Sequence, residues 1–137
     1  MSDSLTAASD IAISAMKAQT TRLKTISENI ANAESVGATP GEDPYARRVV
    51  SFKSVLDQET GANLVKVDEI VQDESEFGMK YEPNHPAANK DGYVKTPNVN
   101  PLIEMMDLKE AQRSYEANLN VVKMSRDMKA QTLDLLK

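Results

Sequence analysis

The sequence predicts a mainly α chain in which a long helix at each end flanks a small, irregular middle segment of β-strands and loops. Two observations predict the helices: apolar residues recur at steps of three and four near both termini, and neither stretch is interrupted by Gly or Pro. A third observation predicts the middle, where Gly and Pro separate short β-branched runs. We therefore divide the chain into an N-terminal helical segment (residues 1–35), a β/loop segment (36–100) and a C-terminal helical segment (101–137).

The composition favours a protein whose apolar surface is shared with other chains. Of the 137 residues, 40% are hydrophobic but only 4% are aromatic, and Trp is absent. Such a chain can build only a thin aliphatic core, so we expect part of its apolar stripes to face partners. The formal net charge is −5, and the acidic residues are concentrated in the middle segment. Because no basic stripe is present, nucleic acid is not an expected partner.

Several classes of protein are excluded by what the sequence lacks. The absence of cysteine excludes disulfides, thiol catalysis and most structural zinc sites. No apolar run approaches the roughly 18–20 residues of a membrane span, so the chain is not expected to cross a membrane. The first six residues lack the basic start and apolar core of a secretory signal, and we expect no cleaved signal peptide.

The N-terminal helix is predicted over residues 5–34, with Asp3 or Ser4 as its N-cap. The 3.5-residue spacing of its apolar seam is typical of a helix that docks against another helix. That seam consists of Ala12, Met16, Leu23, Ile26, Ile30 and Ala33, with Gln19 as its one polar member. Asn29 and Asn32 lie beside the seam. The alternative is a long core helix of a compact bundle, although this chain offers only one further long helix as a partner.

The middle segment predicts a pair of antiparallel strands followed by a loop. Residues 45–56 and 64–71 are rich in β-branched and aromatic side chains and are separated by a Gly-containing turn. Two strands alone are marginal, so we expect them to pack on the helices. Residues 73–100 are punctuated by Gly and Pro, and we interpret them as an extended surface loop with a turn at Asp91-Gly92.

The C-terminal helix is predicted to begin at Pro101, with Asn100 as its N-cap. One face carries Leu108, Ala111, Tyr115, Leu119 and Val122, and a neighbouring face carries Val121, Met124, Met128 and Leu135. This wide apolar coverage indicates contact with more than one neighbour. A one-sided amphipathic helix with some exposed Met is the alternative.

Nothing in the sequence predicts catalysis or a cofactor. His85 is the single histidine, and with Glu82 and Asp91 it could be imagined as a metal site. A lone histidine between two prolines is more typical of a loop, and metal sites usually draw on more than one His. The acidic residues 73–76 lack the glycine and ligand spacing of a calcium loop. Phosphate-binding and nucleophile motifs are absent. The residues alone therefore indicate an interaction protein with two helical ends, no enzyme activity and no cofactor.

Motifs in both ends and in the middle resemble one known family. Residues 29–33 (Asn-Ile-Ala-Asn-Ala) and 110–119 (Glu-Ala-Gln-Arg-Ser-Tyr-Glu-Ala-Asn-Leu) resemble the N- and C-terminal signatures of the bacterial flagellar axial proteins, which form the rod and hook. Residues 81–88, 91–94 and 97–105 are similar to the proximal-rod members of that family. Each motif is weak alone, but together they cover about half of the chain in the family's order.

The resemblance implies a fold, a function and a location. The terminal helices would pair as an antiparallel coiled coil, with ends that are disordered in the monomer and become ordered on assembly. The chain would be a proximal rod subunit that stacks helically into the drive shaft carrying motor torque to the hook, as motility requires. It would be exported by the flagellar type III apparatus without a cleaved signal and would lie in the periplasmic part of the basal body. Expected partners are copies of the chain itself and the rod proteins FlgB, FlgF, FlgG and FliE.

The same resemblance implies which residues form the subunit-assembly interface, with Asn29 and Asn32 setting register at its rim. The expected residues are Met16, Leu23, Ile26, Asn29, Ile30, Asn32 and Ala33 on the first helix and Leu108, Ala111, Tyr115, Asn118, Leu119 and Val122 on the second. Two alternatives come from other classes of function. One is a cytoplasmic coiled-coil adaptor or chaperone-like binding protein. The other is a small metal-dependent hydrolase that uses His85.

Overall fold

A computed structural model describes residues 2–137. Along the chain, its two helices and four strands follow in the order α1 (Ser2–Ala31), β1 (Arg48–Leu56), β2 (Asn63–Gln72), β3 (Gly78–Tyr81), β4 (Tyr93–Thr96) and α2 (Pro101–Leu135). The helices contribute 30 and 35 residues, which is just under half of the 137-residue chain. The predicted class is therefore confirmed in a coarser form, as terminal helices around a small antiparallel β middle. Met1, which belongs to the predicted segment 1–35, lies outside the described residues.

Helix α1 is shifted towards the N-terminus relative to the prediction. It begins at Ser2, so Asp3 lies within the first turn and the prediction of Asp3 or Ser4 as N-cap is wrong. The carboxylate of Asp3 still suits this position because the N-terminal end of a helix is electropositive. After Ala31 the chain leaves the helix through a turn in which the Asn32 N–H donates to the Glu28 carbonyl over 3.0 Å.

Helix α2 begins as predicted. The side chain of Asn100 accepts a hydrogen bond from the Leu102 N–H over 3.1 Å, and its carbonyl accepts one from the Glu104 N–H over 3.0 Å. These bonds satisfy donors that the first helical turn leaves unpaired, and Pro101 has no N–H to satisfy. The prediction of Asn100 as N-cap is confirmed.

Strands β1 and β2 form a two-stranded sheet, which confirms both predicted strands. The turn between them is closed by Asp57, whose N–H donates to the Ala62 carbonyl over 2.8 Å and whose carboxylate accepts from the Thr60 hydroxyl over 2.8 Å. On α1, the hydroxyl of Ser14 accepts a hydrogen bond from the Val65 N–H over 3.0 Å. Strand β2 is thereby held against α1, as the instability of an isolated strand pair led us to expect.

Strands β3 and β4 were not predicted, so the interpretation of residues 73–100 as one extended loop is wrong for residues 78–81 and 93–96. The predicted turn at Asp91-Gly92 is confirmed, with Gly92 at φ +85°. The two strands pair antiparallel, from Gly78 opposite Thr96 to Tyr81 opposite Tyr93. The Tyr81 and Tyr93 rings meet edge to face with centroids 5.3 Å apart, a cross-strand contact that stabilises a short pair. Four-residue strands are too short to show an alternating pattern, which is why the sequence did not reveal them.

The chain forms two compact units, each of which draws on both helices. Unit 1 comprises the residues up to Leu23 together with Val50–Glu69 and Lys109–Lys137, and unit 2 comprises Lys24–Val49 and Ile70–Leu108. Among the described residues, the buried apolar side chains are Ala12, Ala18, Ala62, Ala111 and Val122 in unit 1 and Ile26, Ala87 and Val94 in unit 2. Both units have the thin aliphatic core that the composition predicted.

Candidate assembly site

A buried amide organises unit 2. Asn29 is 1% exposed, and its side-chain nitrogen donates to the Arg48 carbonyl over 2.8 Å and to Glu104 Oε2 over 3.1 Å. Its side-chain oxygen accepts from the Arg48 N–H over 2.9 Å and from the Tyr45 hydroxyl over 2.8 Å. An amide offers two donors and two acceptor sites, so the capacity of Asn29 is filled by this chain alone.

The second centre of this network is an ion pair between a half-buried guanidinium and a buried carboxylate. Glu104 is 1% exposed and accepts a hydrogen bond from Arg47 Nε. The other guanidinium nitrogens of Arg47 lie 3.2 Å from Asp73 Oδ2 and 3.6 Å from Asp107 Oδ2. Burial lowers the pKa of Arg47, but the hydrogen bonds and charges of Glu104 and Asp73 together outweigh that effect, and the net shift is upwards. Breaking such a pair leaves an uncompensated buried charge, which is strongly destabilising.

Asn98 ties a further part of the chain to this pair. Its side-chain oxygen accepts from the Arg47 N–H over 2.7 Å, while its nitrogen donates to the carbonyls of Asp73 (3.0 Å) and Ser75 (3.1 Å). The Ser75 N–H and hydroxyl, together with Arg47, hold the pKa of Asp73 below its ordinary value. Asn29, Tyr45, Arg47, Asp73, Asn98 and Glu104 thus form what we call the Asn29 network.

Tyr45 closes the network on the side of the loop after α1. Burial raises the pKa of its phenol, and the carboxylates of Glu28 and Glu104 add to this effect while the charge of Arg48 opposes it. The hydroxyl therefore remains protonated at neutral pH and can donate to Asn29.

Comparison of the chain with known proteins shows the family to which it belongs. The model of the family described as flagella basal body rod protein matches residues 10–39, and that of the flagellar basal body rod FlgEFG protein C-terminal family matches residues 90–135. The flagellar basal-body rod protein FlgC of Agrobacterium fabrum (strain C58) is 54% identical over 135 residues, with 98% of this chain and 97% of the relative covered. The chain belongs to the FlgC family of flagellar basal-body rod proteins.

More distant relatives show the same near-complete coverage. The FlgC protein of Bacillus subtilis (strain 168) is 38% identical, with 92% of this chain and 94% of the relative covered. The FlgC protein of Salmonella typhimurium (strain LT2) is 40% identical, with 92% and 93% covered. Membership of this family makes the protein a structural rod component of the flagellar basal body, not an enzyme, and implies that it assembles with other rod proteins.

The two segments matched by the family models meet within the Asn29 network. Asn29 lies in the first matched segment, Asn98 and Glu104 lie in the second, and Asn29 bonds Glu104 directly. The sequence singled out Asn29, and the segment 97–105 that resembles proximal-rod proteins contains Asn98 and Glu104, but no role was predicted for Tyr45 and Arg47. The only signal for these two was their place at the start of the predicted strand 45–56, directly after the Gly- and Pro-rich residues 36–44.

The thirteen residues expected at the assembly interface are all at least half-buried within the chain. Ile26, Asn29, Ala111 and Val122 are buried, and Met16, Leu23, Ile30, Asn32, Ala33, Leu108, Tyr115, Asn118 and Leu119 are partly buried. Asn29 is not free to bond a neighbour in this conformation, because its four hydrogen bonds are made inside unit 2. Asn32 donates to the Glu28 carbonyl over 2.8 Å and accepts from the Ser35 hydroxyl over 3.0 Å.

Polar contacts link α1 and α2 within each unit. In unit 1, Gln19 donates to Ser114 Oγ over 3.3 Å and Arg22 lies 3.5 Å from Glu110. In unit 2, the corresponding contact is that of Asn29 with Glu104. Within unit 1, Arg22 comes after Gln19 on α1, whereas its partner Glu110 comes before Ser114 on α2.

The second apolar face of α2 is exposed. Met124 is 62% exposed, Met128 51% and Leu135 87%, and Val121 lies on the same face. Exposed large apolar residues at helical spacing mark a contact surface in a protein that assembles. We call these four residues the outer face of α2. Near the start of the same helix, Leu102 and Met106 are also exposed, and neither belongs to the two predicted apolar faces.

His85 has a local structural role. Its ring Nδ1 accepts a hydrogen bond from the Ala87 N–H over 3.0 Å, and its backbone N–H donates to the Glu82 carbonyl over 3.0 Å. Within residues 2–137, no group of His, Cys, Asp and Glu side chains is arranged to hold a metal ion. Neither of the two described helices combines the length and apolarity that a membrane span requires.

Proposed function

We propose that this FlgC-family protein is a proximal rod subunit that stacks helically with copies of itself and with FlgB, FlgF, FlgG and FliE. The stack would form the drive shaft that carries motor torque to the hook, in the periplasmic part of the basal body, after export by the flagellar type III apparatus. The observation that carries the proposal is the outer face of α2, which is left exposed while the predicted seam residues are buried or half-buried in the chain.

In this proposal the two helices of one subunit pair as an antiparallel coiled coil. The contacts of Gln19 with Ser114 and of Arg22 with Glu110 support that direction, because the residue numbers rise on α1 as they fall on α2. The thirteen predicted interface residues then divide into two groups. Buried ones such as Ile26 and Val122 hold the pair together, and half-buried ones such as Tyr115 and Leu119 border the contact with the next subunit.

The outer face of α2 supplies the energy of stacking. Burying one side chain of the size of Leu or Met yields roughly 1.5–3 kcal/mol, so its four residues provide enough to hold a subunit in a multivalent assembly. A face that docks on a different surface of the next copy makes a heterologous contact, which generates an open helix when the rotation does not close. A rod requires such an open helix.

Motility and basal-body content test the proposal in a strain whose own gene is deleted and replaced by variants. Met124→Asp should abolish motility and remove the protein from detergent-washed basal bodies, because a carboxylate cannot be buried unpaired in an apolar contact. Gln112→Asp adds the same charge at an exposed position away from the outer face and should leave motility intact. Circular dichroism of the purified variants checks that both fold.

Two outcomes would contradict the proposal. A motile Met124→Asp strain would show that the outer face is not an assembly surface. Absence of the wild-type protein from washed basal bodies, with the protein recovered in the cytoplasm, would favour the coiled-coil adaptor instead. A second variant tests the inner seam: Ile30→Asp should also block rod assembly while the protein is still synthesised.

A further inference from the structure

An open groove lies between helix α1 and strand β2 in unit 1. Its volume is about 410 Å³. One wall is a face of α1 and the other consists of consecutive residues of β2, and the side chains along both walls are mainly apolar. The apolar lining residues are Ile13, Ala18, Leu64, Val65 and Val67. An apolar groove of this kind is a surface on which an amphipathic helix docks. We call it the α1–β2 groove.

The charged groups of the groove are used unequally by the chain itself. At the β2 wall, the Thr60 hydroxyl and, more weakly, the charge of Lys66 lower the pKa of the Asp57 carboxyl. At the α1 wall, Lys17 is exposed, and its ammonium forms no ion pair with any residue in 2–137. Asp10 lies about two helical turns before Lys17, so the unpaired positive charge belongs to one end of the groove.

The outer face of α2 has the features that complement this groove. Its residues are large, apolar and exposed. Asp127 borders this face, because it follows Met124 by three positions and directly precedes Met128. Asp127 is also exposed and makes no ion pair within the described part of the chain. An apolar stripe with an unpaired carboxylate at its border thus matches an apolar groove with an unpaired ammonium on its wall.

We propose that the α1–β2 groove receives the outer face of α2 of a second copy, with Asp127 of that copy paired to Lys17. This docking rests on the proposed function and names the surface that the outer face contacts. Groove and outer face are different surfaces, so each docked copy still offers a free groove or a free outer face to the next one. The apolar stripe supplies the affinity, while the ion pair at the border fixes the register and excludes wrongly placed partners.

Charge exchange tests the pairing in the gene-replacement strain. Lys17→Glu and Asp127→Lys should each lower the amount of the protein in washed basal bodies at least about tenfold, because each places like charges face to face. The double variant Lys17→Glu/Asp127→Lys restores opposite charges and should return incorporation to near the wild-type level. Lys90→Glu, the same reversal at an exposed lysine of unit 2, should leave incorporation unchanged. Circular dichroism of the purified variants checks that all of them fold.

Cross-linking identifies the partner directly. The chain contains no cysteine, so introduced cysteines are its only thiols. In basal bodies that contain Lys17→Cys/Asp127→Cys, a short bismaleimide should join copies into products of at least twice the chain mass. Lys17→Cys/Gln112→Cys is the matched control, because Gln112 is exposed on α2 but lies outside the outer face; it should give no such product.

Three results would overturn the docking. Wild-type incorporation of both single charge variants would show that Lys17 and Asp127 do not meet. Two defective single variants that the double variant fails to rescue, with no cross-linked dimer, would show that a different rod protein occupies the groove. Both results leave the proposed function in force, provided that the wild-type protein is found in basal bodies. Its absence from basal bodies would overturn the docking and the proposed function together.

Discussion

Replacing Asn29 with alanine removes the centre of the Asn29 network and should strongly destabilise the protein. Four hydrogen bonds are lost at once, and Glu104 Oε2, the Tyr45 hydroxyl and both backbone groups of Arg48 lose a partner. Each net hydrogen bond contributes about 0.5–1.5 kcal/mol, and a buried group left unpaired costs more. We expect a loss of about 3–5 kcal/mol, a large part of the total stability of a domain of this size.

Urea unfolding of the purified variants, followed by the helical circular dichroism signal, measures this loss. Asn32→Ala is the matched control because Asn32, on the next turn of the same segment, is half-buried and makes two local side-chain hydrogen bonds; it should cost less than about 1 kcal/mol. Asn29→Asp should be no milder than Asn29→Ala, since it turns the donor that faces Glu104 into an acceptor. The reasoning fails if Asn29→Ala costs no more than Asn32→Ala.

Two further predictions concern the loop after α1 and the turn between β3 and β4. The pKa of Tyr45 is raised in the folded state, so the stability that its hydroxyl contributes is fully present below about pH 10 and is lost as the pH rises above that value. The stability of Tyr45→Phe should therefore lie below that of the wild type by a constant amount up to about pH 10 and by a shrinking amount at higher pH. Urea midpoints measured at each pH would show this difference. Gly92 has φ +85°, and a Cβ there would lie 2.9 Å from Tyr81 Cε2, whereas at Gly61 (φ +67°) a Cβ would meet nothing within 4 Å. Both glycine-to-alanine changes carry the left-handed backbone cost of about 1–2 kcal/mol, and Gly92→Ala should cost distinctly more by thermal unfolding; equal costs would contradict the predicted clash with Tyr81.

The sequence predicted the elements whose stability is local. The seam of α1, the capped start of α2 at Asn100 and the β-branched runs of β1 and β2 each carry a pattern that a short window of residues contains. Strands β3 and β4 carry no such pattern, because each has only four residues and their pairing is stabilised by the contact between Tyr81 and Tyr93. The turn between them at Asp91-Gly92 was predicted, but it did not reveal the strands on either side.

The candidate site was only partly predictable for a related reason. Asn29 was singled out because it stands beside an apolar seam, and it was expected at the rim of a contact between subunits. Its actual partners lie 16, 19 and 75 residues further along the chain. No periodicity connects such distant positions, and Arg47 in particular has a sequence environment that gives no sign of its pairing with Glu104.

The large sequence separation between the residues of the Asn29 network also determines when unit 2 can finish folding. Its central contact joins Asn29 to Glu104 across 75 residues, and Arg47 reaches the same carboxylate across 57. A chain that emerges N-terminus first therefore leaves the amide of Asn29 and the guanidinium of Arg47 without their buried acceptor until the start of α2 arrives. Contacts so distant in sequence form late. A truncated or partly emerged chain that lacks Glu104 therefore cannot form the central hydrogen bonds of the network.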